Sequence, residues 1–142
     1  MVKTRLFDHI DLRVRNRAKA QAFFARILPA LGFTRDQSGE EWGAFEKEGE
    51  RCEFFGFTED AAHQPNQNRI AFWADSKEEA DRIARVIIEA GGKNPEGPQL
   101  WPEYSPGYYA FFFEDPDGNK FEICFRGSGI VAGEVDSAKR AA

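Results

Sequence analysis

Residues 8–32 and 68–92 of this chain align with each other without a gap. Asp8-His9-Ile10 falls on Asn68-Arg69-Ile70. Ala20, Phe23, Phe24, Ile27, Leu28 and Gly32 then fall on Ala80, Ile83, Ala84, Ile87, Ile88 and Gly92. Further on, Arg51-Cys52-Glu53-Phe54 echoes Lys120-Phe121-Glu122-Ile123, with Gly49 preceding one segment and Gly118 the other. Self-similarity on this scale means one supersecondary unit used twice. The repeat pairs His9 with Arg69 and Glu53 with Glu122, so matched ionisable residues are the first place to look for chemistry.

Bulk properties narrow the partner classes. A chain of 142 residues suits a single domain that buries a real core, and 14 phenylalanines supply much of its apolar area. A formal net charge of −5 leaves no basic stripe to neutralise phosphates, which argues against nucleic acid. The sequence contains no apolar run near the roughly 20 residues that span a bilayer. Met1-Val-Lys-Thr-Arg5 leads directly into a strand-like segment without a signal-peptide apolar region. Cys52 and Cys124 do not make a disulfide framework and read as buried thiols. The expected setting is the cytoplasm, without a membrane partner.

Periodicity then places the elements. Leu6 to Val14 alternates as a strand, with Ile10, Leu12 and Val14 on one face and Phe7, His9, Asp11 and Arg13 on the other. Asn16 caps a helix whose buried face is Ala20, Phe23, Phe24, Ile27, Leu28 and Leu31, closed by Pro29 and Gly32. Trp42–Phe45 and Arg51–Phe57 read as a hairpin around Glu48-Gly49, and 58–68 as a polar linker. The second module, 69–126, opens with strand Arg69–Ala74. Ser76 to Glu79 forms a capping box, and the helix it starts runs to Ala90. With four prolines and two glycines, Asn94 to Gly107 reads as a long irregular loop carrying Trp101 and Tyr104. Strands Tyr108–Glu114 and Lys120–Phe125 flank the turn Asp115-Pro-Asp-Gly118, and residues 127–142 form a loose tail. The expectation is an α+β fold of two modules, about 6–57 and 69–126, packed as one domain. Helices would lie on the outer faces of a curved mixed sheet and leave the inner face open.

The opening Asp8-His-Ile-Asp-Leu12, the second opening Arg69-Ile-Ala-Phe72, and Tyr108-Tyr-Ala-Phe111 leading to Asp115-Pro-Asp-Gly-Asn-Lys-Phe-Glu122 give this chain a resemblance. It resembles the vicinal-oxygen-chelate superfamily of glyoxalase I, bleomycin-resistance proteins and extradiol-type dioxygenases, over about residues 6–126. That resemblance implies two βαβββ modules forming a U-shaped, strongly curved sheet whose cleft often holds a divalent metal, and commonly a homodimer. In glyoxalase I the ligands are a His on the first strand, a Glu on the last strand of module one, a His opening module two and a Glu on the final strand. Carried across, His9, Glu53 and Glu122 match, while Arg69 stands where the second His belongs. The two-His, one-Glu dioxygenase pattern is therefore broken as well.

Two functions follow from these residues. His, Glu and Glu suit zinc, nickel, manganese or iron. By resemblance such a metal would polarise paired oxygens of a vicinal-oxygen substrate for isomerase or lyase chemistry, with Glu122 and His9 catalytic and Glu122 moving the proton. Arg69 opposes this, because a guanidinium within about 5 Å of a dication repels it by several kcal/mol even at an effective dielectric of roughly 20. The alternative is a metal-free binding protein, similar to bleomycin-resistance proteins, that sequesters an aromatic or cationic compound. Arg69 would then pair with Glu53 or Glu122. Trp73 shares strand parity with Arg69, Trp42 and Tyr108 are read as equivalent places in the two modules, and Trp101 rides on a loop able to act as a lid. These are the candidate substrate-binding residues with Arg69. The bland readings are a satisfied surface histidine, edge carboxylates and core aromatics, with Phe23, Phe24, Phe54, Phe111 and Phe113 assigned to the core.

Overall fold

The computed structural model describes residues 1–127. All of the expected loose tail, 127–142, except Gly127 therefore lies outside the described residues. The chain divides into two compact units, the first Met1–Gln64 and the second beginning at Pro65, a boundary inside the expected linker. Each unit holds a four-stranded mixed sheet and one long helix, giving the α+β class.

In the first unit, β1 (His9–Val14), α1 (Arg17–Ile27), β2 (Arg35–Asp36), β3 (Trp42–Glu46) and β4 (Phe54–Glu59) follow in order, with a short 3-10 turn at Pro29–Leu31. The sheet order is β1-β4-β3-β2, with β1 parallel to β4 and the remaining pairs antiparallel. Asn16 caps α1 as its sequence position predicts, its side chain accepting from the Lys19 amide at 2.9 Å. The helix buries Ala20, Phe23, Phe24 and Ile27, and Phe24 meets Phe55 and Phe57 of β4 at centroid distances of 5.3 and 5.0 Å. Each fully buried phenylalanine of this layer contributes about 2–3 kcal/mol. Gly43 is required here, since an added Cβ would lie 2.0 Å from the Phe57 ring.

The second unit repeats the plan with β5 (Arg69–Trp73), α2 (Lys77–Glu89), β6 (Lys93–Leu100), β7 (Tyr109–Glu114) and β8 (Lys120–Phe125), in the order β5-β8-β7-β6. Ser76 accepts from the Glu79 amide at 3.0 Å, but the Glu79 carboxylate takes the Asp75 amide instead of the Ser76 one. Ala80, Ile83, Ala84 and Ile87 of α2 are buried, as are Phe111, Phe113, Phe121 and Ile123 on the two central strands.

One expectation is corrected outright. Residues 94–100, part of the stretch Asn94–Gly107 read as irregular loop, belong to strand β6 (Lys93–Leu100). Prolines cannot donate to a ladder, yet this strand is at the sheet edge and pairs with β7 through two register shifts, so Pro95 and Pro98 sit where no donor is demanded.

The turn Asp115-Pro-Asp-Gly118 is locked from inside. Asp115 is fully buried and accepts from the amides of Asp117 and Asn119 and from the Asn119 side chain, all within 2.9 Å.

Candidate functional site

Ladder register decides which side chains share a face. In the first unit His9 pairs with Phe54, Asp11 with Gly56 and Arg13 with Thr58. In the second, Arg69 pairs with Lys120, Ala71 with Glu122 and Trp73 with Cys124. With His9 matched to Arg69, the counterpart of Glu122 is Gly56. The antiparallel ladders agree, Glu46 opposing Phe54 as Glu114 opposes Lys120. The pairing of Glu53 with Glu122 is thus corrected, and so is that of Trp42 with Tyr108. Trp42 opposes Thr58, whose counterpart Cys124 opposes Ala110. The physical reason is hairpin length: the connection spans residues 47–53 in the first unit and 115–119 in the second.

On the first sheet, the face away from α1 carries His9, Asp11, Trp42, Glu46 and Phe54. With Gln37, Gly56 and Thr58 these residues line a concavity of about 360 Å³. His9 stacks on Phe54, centroids 4.5 Å apart and 5° from parallel, which takes Phe54 out of the core assigned to it. The His9 Nδ1 donates to the Asp8 carboxylate at 2.7 Å, leaving Nε2 as the free ring nitrogen. Glu53 immediately precedes β4, one residue before Phe54, which is the partner of His9 in the ladder. There its carboxylate meets Lys47 Nζ at 2.9 Å. His9 and Glu53 are not brought together.

The corresponding face of the second sheet is more elaborate. Glu122 is only 5 % exposed, and the Tyr108 hydroxyl donates to its Oε2. Burial, followed by the bond to Glu122, drives the Tyr108 phenol far above its ordinary value. Burial also raises the neighbouring Cys124 thiol, against a lowering hydrogen bond from Tyr108, so this cysteine is not activated. Arg69 places its guanidinium 4.7 Å over the Phe112 ring and makes no ion pair with Glu122. Trp73, 67 % exposed, lies under the Arg126 guanidinium at 4.6 Å. A cavity of about 370 Å³ is lined by Ala71, Trp73, Tyr104, Ser105, Tyr108, Cys124 and Arg126. Trp101 is not a free lid. Its amide bonds the Tyr108 carbonyl at 2.8 Å, its indole N–H bonds the Ala110 carbonyl at 3.1 Å, and its ring stands edge-on to Phe112.

Of the candidates, Trp73 and Tyr108 therefore line one cavity, His9 and Trp42 line another, and Arg69 lines neither. Ser105 and Arg126 were missed from sequence. Arg126 continues the alternation Lys120, Glu122, Cys124 and was legible from parity, whereas Ser105 sits in a loop that offers no period.

The sequence from residue 6 to 123 matches the family model described as Glyoxalase/Bleomycin resistance protein/Dioxygenase superfamily. The chain belongs to that superfamily. Solved structures agree with the assignment. A glyoxalase/bleomycin resistance protein from Albidiferax ferrireducens T118 is 25% identical, with a TM-score of 0.68 over 85% of this chain and 98% of its own. A glyoxalase-related enzyme from Fulvimarina pelagi is 15% identical, with a TM-score of 0.67 over 94% of this chain and 96% of its own. The fosfomycin resistance protein FosX from Listeria monocytogenes is 21% identical, with a TM-score of 0.65 over 99% of each chain. The last two likenesses speak to the fold alone. No protein of curated function matches the sequence.

Superfamily membership raises the question of a divalent metal, and among the described residues two of the four register-matched places carry no metal-ligating side chain. At the places that register makes equivalent, the first unit offers His9 and Gly56, and the second Arg69 and Glu122. Glycine supplies no donor, arginine supplies a fixed positive charge, and Glu122 is already engaged by Tyr108. Neither unit by itself gathers three His, Cys, Asp or Glu side chains able to hold an ion, among the described residues. Among those residues, too, no helix is long and apolar enough to cross a membrane.

Proposed function

We propose that this chain is a metal-free small-molecule-binding domain, similar in action to bleomycin-resistance proteins, with the helix-free face of its second sheet as the ligand surface. The observation that carries the reading is the Tyr108 hydroxyl closed over the buried Glu122 carboxylate, in a chain that has Arg at 69 and Gly at 56. A carboxylate that accepts a charge-assisted hydrogen bond from a phenol is oriented and part-satisfied without an ion. Trp73 and Tyr104 add flat apolar surface beside it. The metal-assisted alternative, isomerase or lyase chemistry on vicinal oxygens with His9 and Glu122 catalytic, needs His9, Glu53 and Glu122 on one ion. The place of Glu53 in the connection before β4, its carboxylate paired with Lys47, speaks against that set. The resemblance also carries a homodimer into this reading, and the cysteine and amino-terminal pattern of the sequence a cytoplasmic setting.

The test is calorimetric titration of tag-free protein with zinc, nickel, manganese and ferrous iron. The expected result is no saturable stoichiometric binding. Tight binding of one ion per chain, lost in His9→Ala, would overturn the reading and restore the metal-assisted one.

A further inference from the structure

We infer that the second-sheet cavity is built for an aromatic carboxylate, a flat ring seated against Trp73 and an anionic group held by Arg126 and Ser105. This rests on the metal-free binding reading above and specifies its ligand class. Three observations carry it. Ser105 is 2 % exposed and lines the cavity, yet its Oγ has no hydrogen-bond partner. A buried hydroxyl left unpaired in a residue that lines a cavity costs the free protein its full desolvation, and a partner supplied by an occupant would recover it. Arg126 lines the same cavity and makes no ion pair with a described residue, its guanidinium resting on the Trp73 ring instead. A guanidinium held over an indole by a cation–π contact keeps its N–H donors available, and these receive a carboxylate. Trp73 is the largest exposed aromatic of the unit, and Tyr104 across the cavity, 5.2 Å from Tyr108 between centroids, extends the apolar wall.

Glu122 lies on the same face, but the Tyr108 hydroxyl caps it, so an incoming anion meets a phenol rather than a bare carboxylate. The cavity volume of about 370 Å³ lies in the range of small-molecule sites and accepts a bicyclic ring.

The experiment is calorimetric titration with 2-naphthoate and with neutral 2-naphthamide, each with and without excess EDTA. Naphthoate should bind saturably in EDTA and better than the amide. Arg126→Gln should weaken naphthoate by about tenfold or more and erase the preference over the amide. Ser105→Ala should weaken naphthoate by roughly threefold to tenfold while leaving the ligand-free melting temperature equal or higher, because an unpaired hydroxyl has been removed. A purely structural serine would lower that temperature. Naphthoate binding that disappears in EDTA would overturn the metal-free reading itself. Absence of binding under both conditions, or equal binding of acid and amide untouched by Arg126→Gln, would overturn this inference and leave the metal-free reading standing.

Discussion

Positions 56 and 122 occupy the same rung of two ladders with like register, yet one is a glycine and the other a buried glutamate. Around Gly56 the first sheet shows a half-exposed histidine stacked on a phenylalanine, with its carboxylate partner Asp8 in solvent. Around Glu122 the second sheet shows a half-buried phenol, a buried thiol and an unpaired, buried serine hydroxyl. A duplicated unit therefore keeps its scaffold while its two faces diverge in chemistry. The helix-facing sides stay alike because close packing of phenylalanine and isoleucine tolerates few changes. The other faces are free to differ, and the costly polar groups have collected on the second.

The largest expected effect lies in the turns that join the last two strands of each unit. Asp115→Ala removes one acceptor serving three donors and should cost about 3 kcal/mol or more in urea unfolding. A cost below about 1 kcal/mol would mean the turn is held by something else.

Tyr108→Phe should destabilise by about 1–3 kcal/mol, because the buried Glu122 loses its donor. Its pH signature follows from the raised phenol. A tyrosine whose folded pKa lies above the unfolded one contributes stability that is complete below about pH 10 and is lost as pH rises toward the folded value. The unfolding free energy should fall above pH 10, and the fall should be shallower in Tyr108→Phe. Tyr109, pushed up to about 12 chiefly by its bond to Asp81, leaves part of that slope in place. An identical alkaline slope in wild type and variant would contradict the Tyr108–Glu122 bond.

Gly56→Ala should change stability by no more than about 1 kcal/mol, since an added Cβ meets its nearest neighbours at an ordinary 3.4 Å. Thermal denaturation showing a large loss would mean that the first face is as tightly built as the second. The smallest effect belongs to Glu53→Gln. The Lys47–Glu53 pair is partly exposed, and its loss should cost less than about 0.5 kcal/mol in the same assay.

Much of this architecture was legible in the sequence because period carries it. The Asn16 cap, the two amphipathic helices and the alternation of β1 and β8 all follow from spacing. Two features escaped for definite reasons. Prolines disguised β6, since edge strands need no donor on their outer side. The hairpin of the first unit is longer than that of the second, and a gapless comparison anchored on Gly49 and Gly118 slid Glu53 onto Glu122. The site was legible where parity applied, as at Trp73, and the same parity extends to Arg126, which the sequence reading passed over. It was hidden where a loop delivers the group, as at Ser105, or where a cross-strand bond such as Tyr108 to Glu122 decides what a carboxylate does.

Metal content bears most directly on the central claim. Tag-free protein, purified from cells grown with added zinc, nickel, manganese and iron, would be analysed for all four elements. The account predicts content far below one ion per chain, unchanged by His9→Ala. Near-stoichiometric content of one of these metals, falling away in His9→Ala, would contradict it.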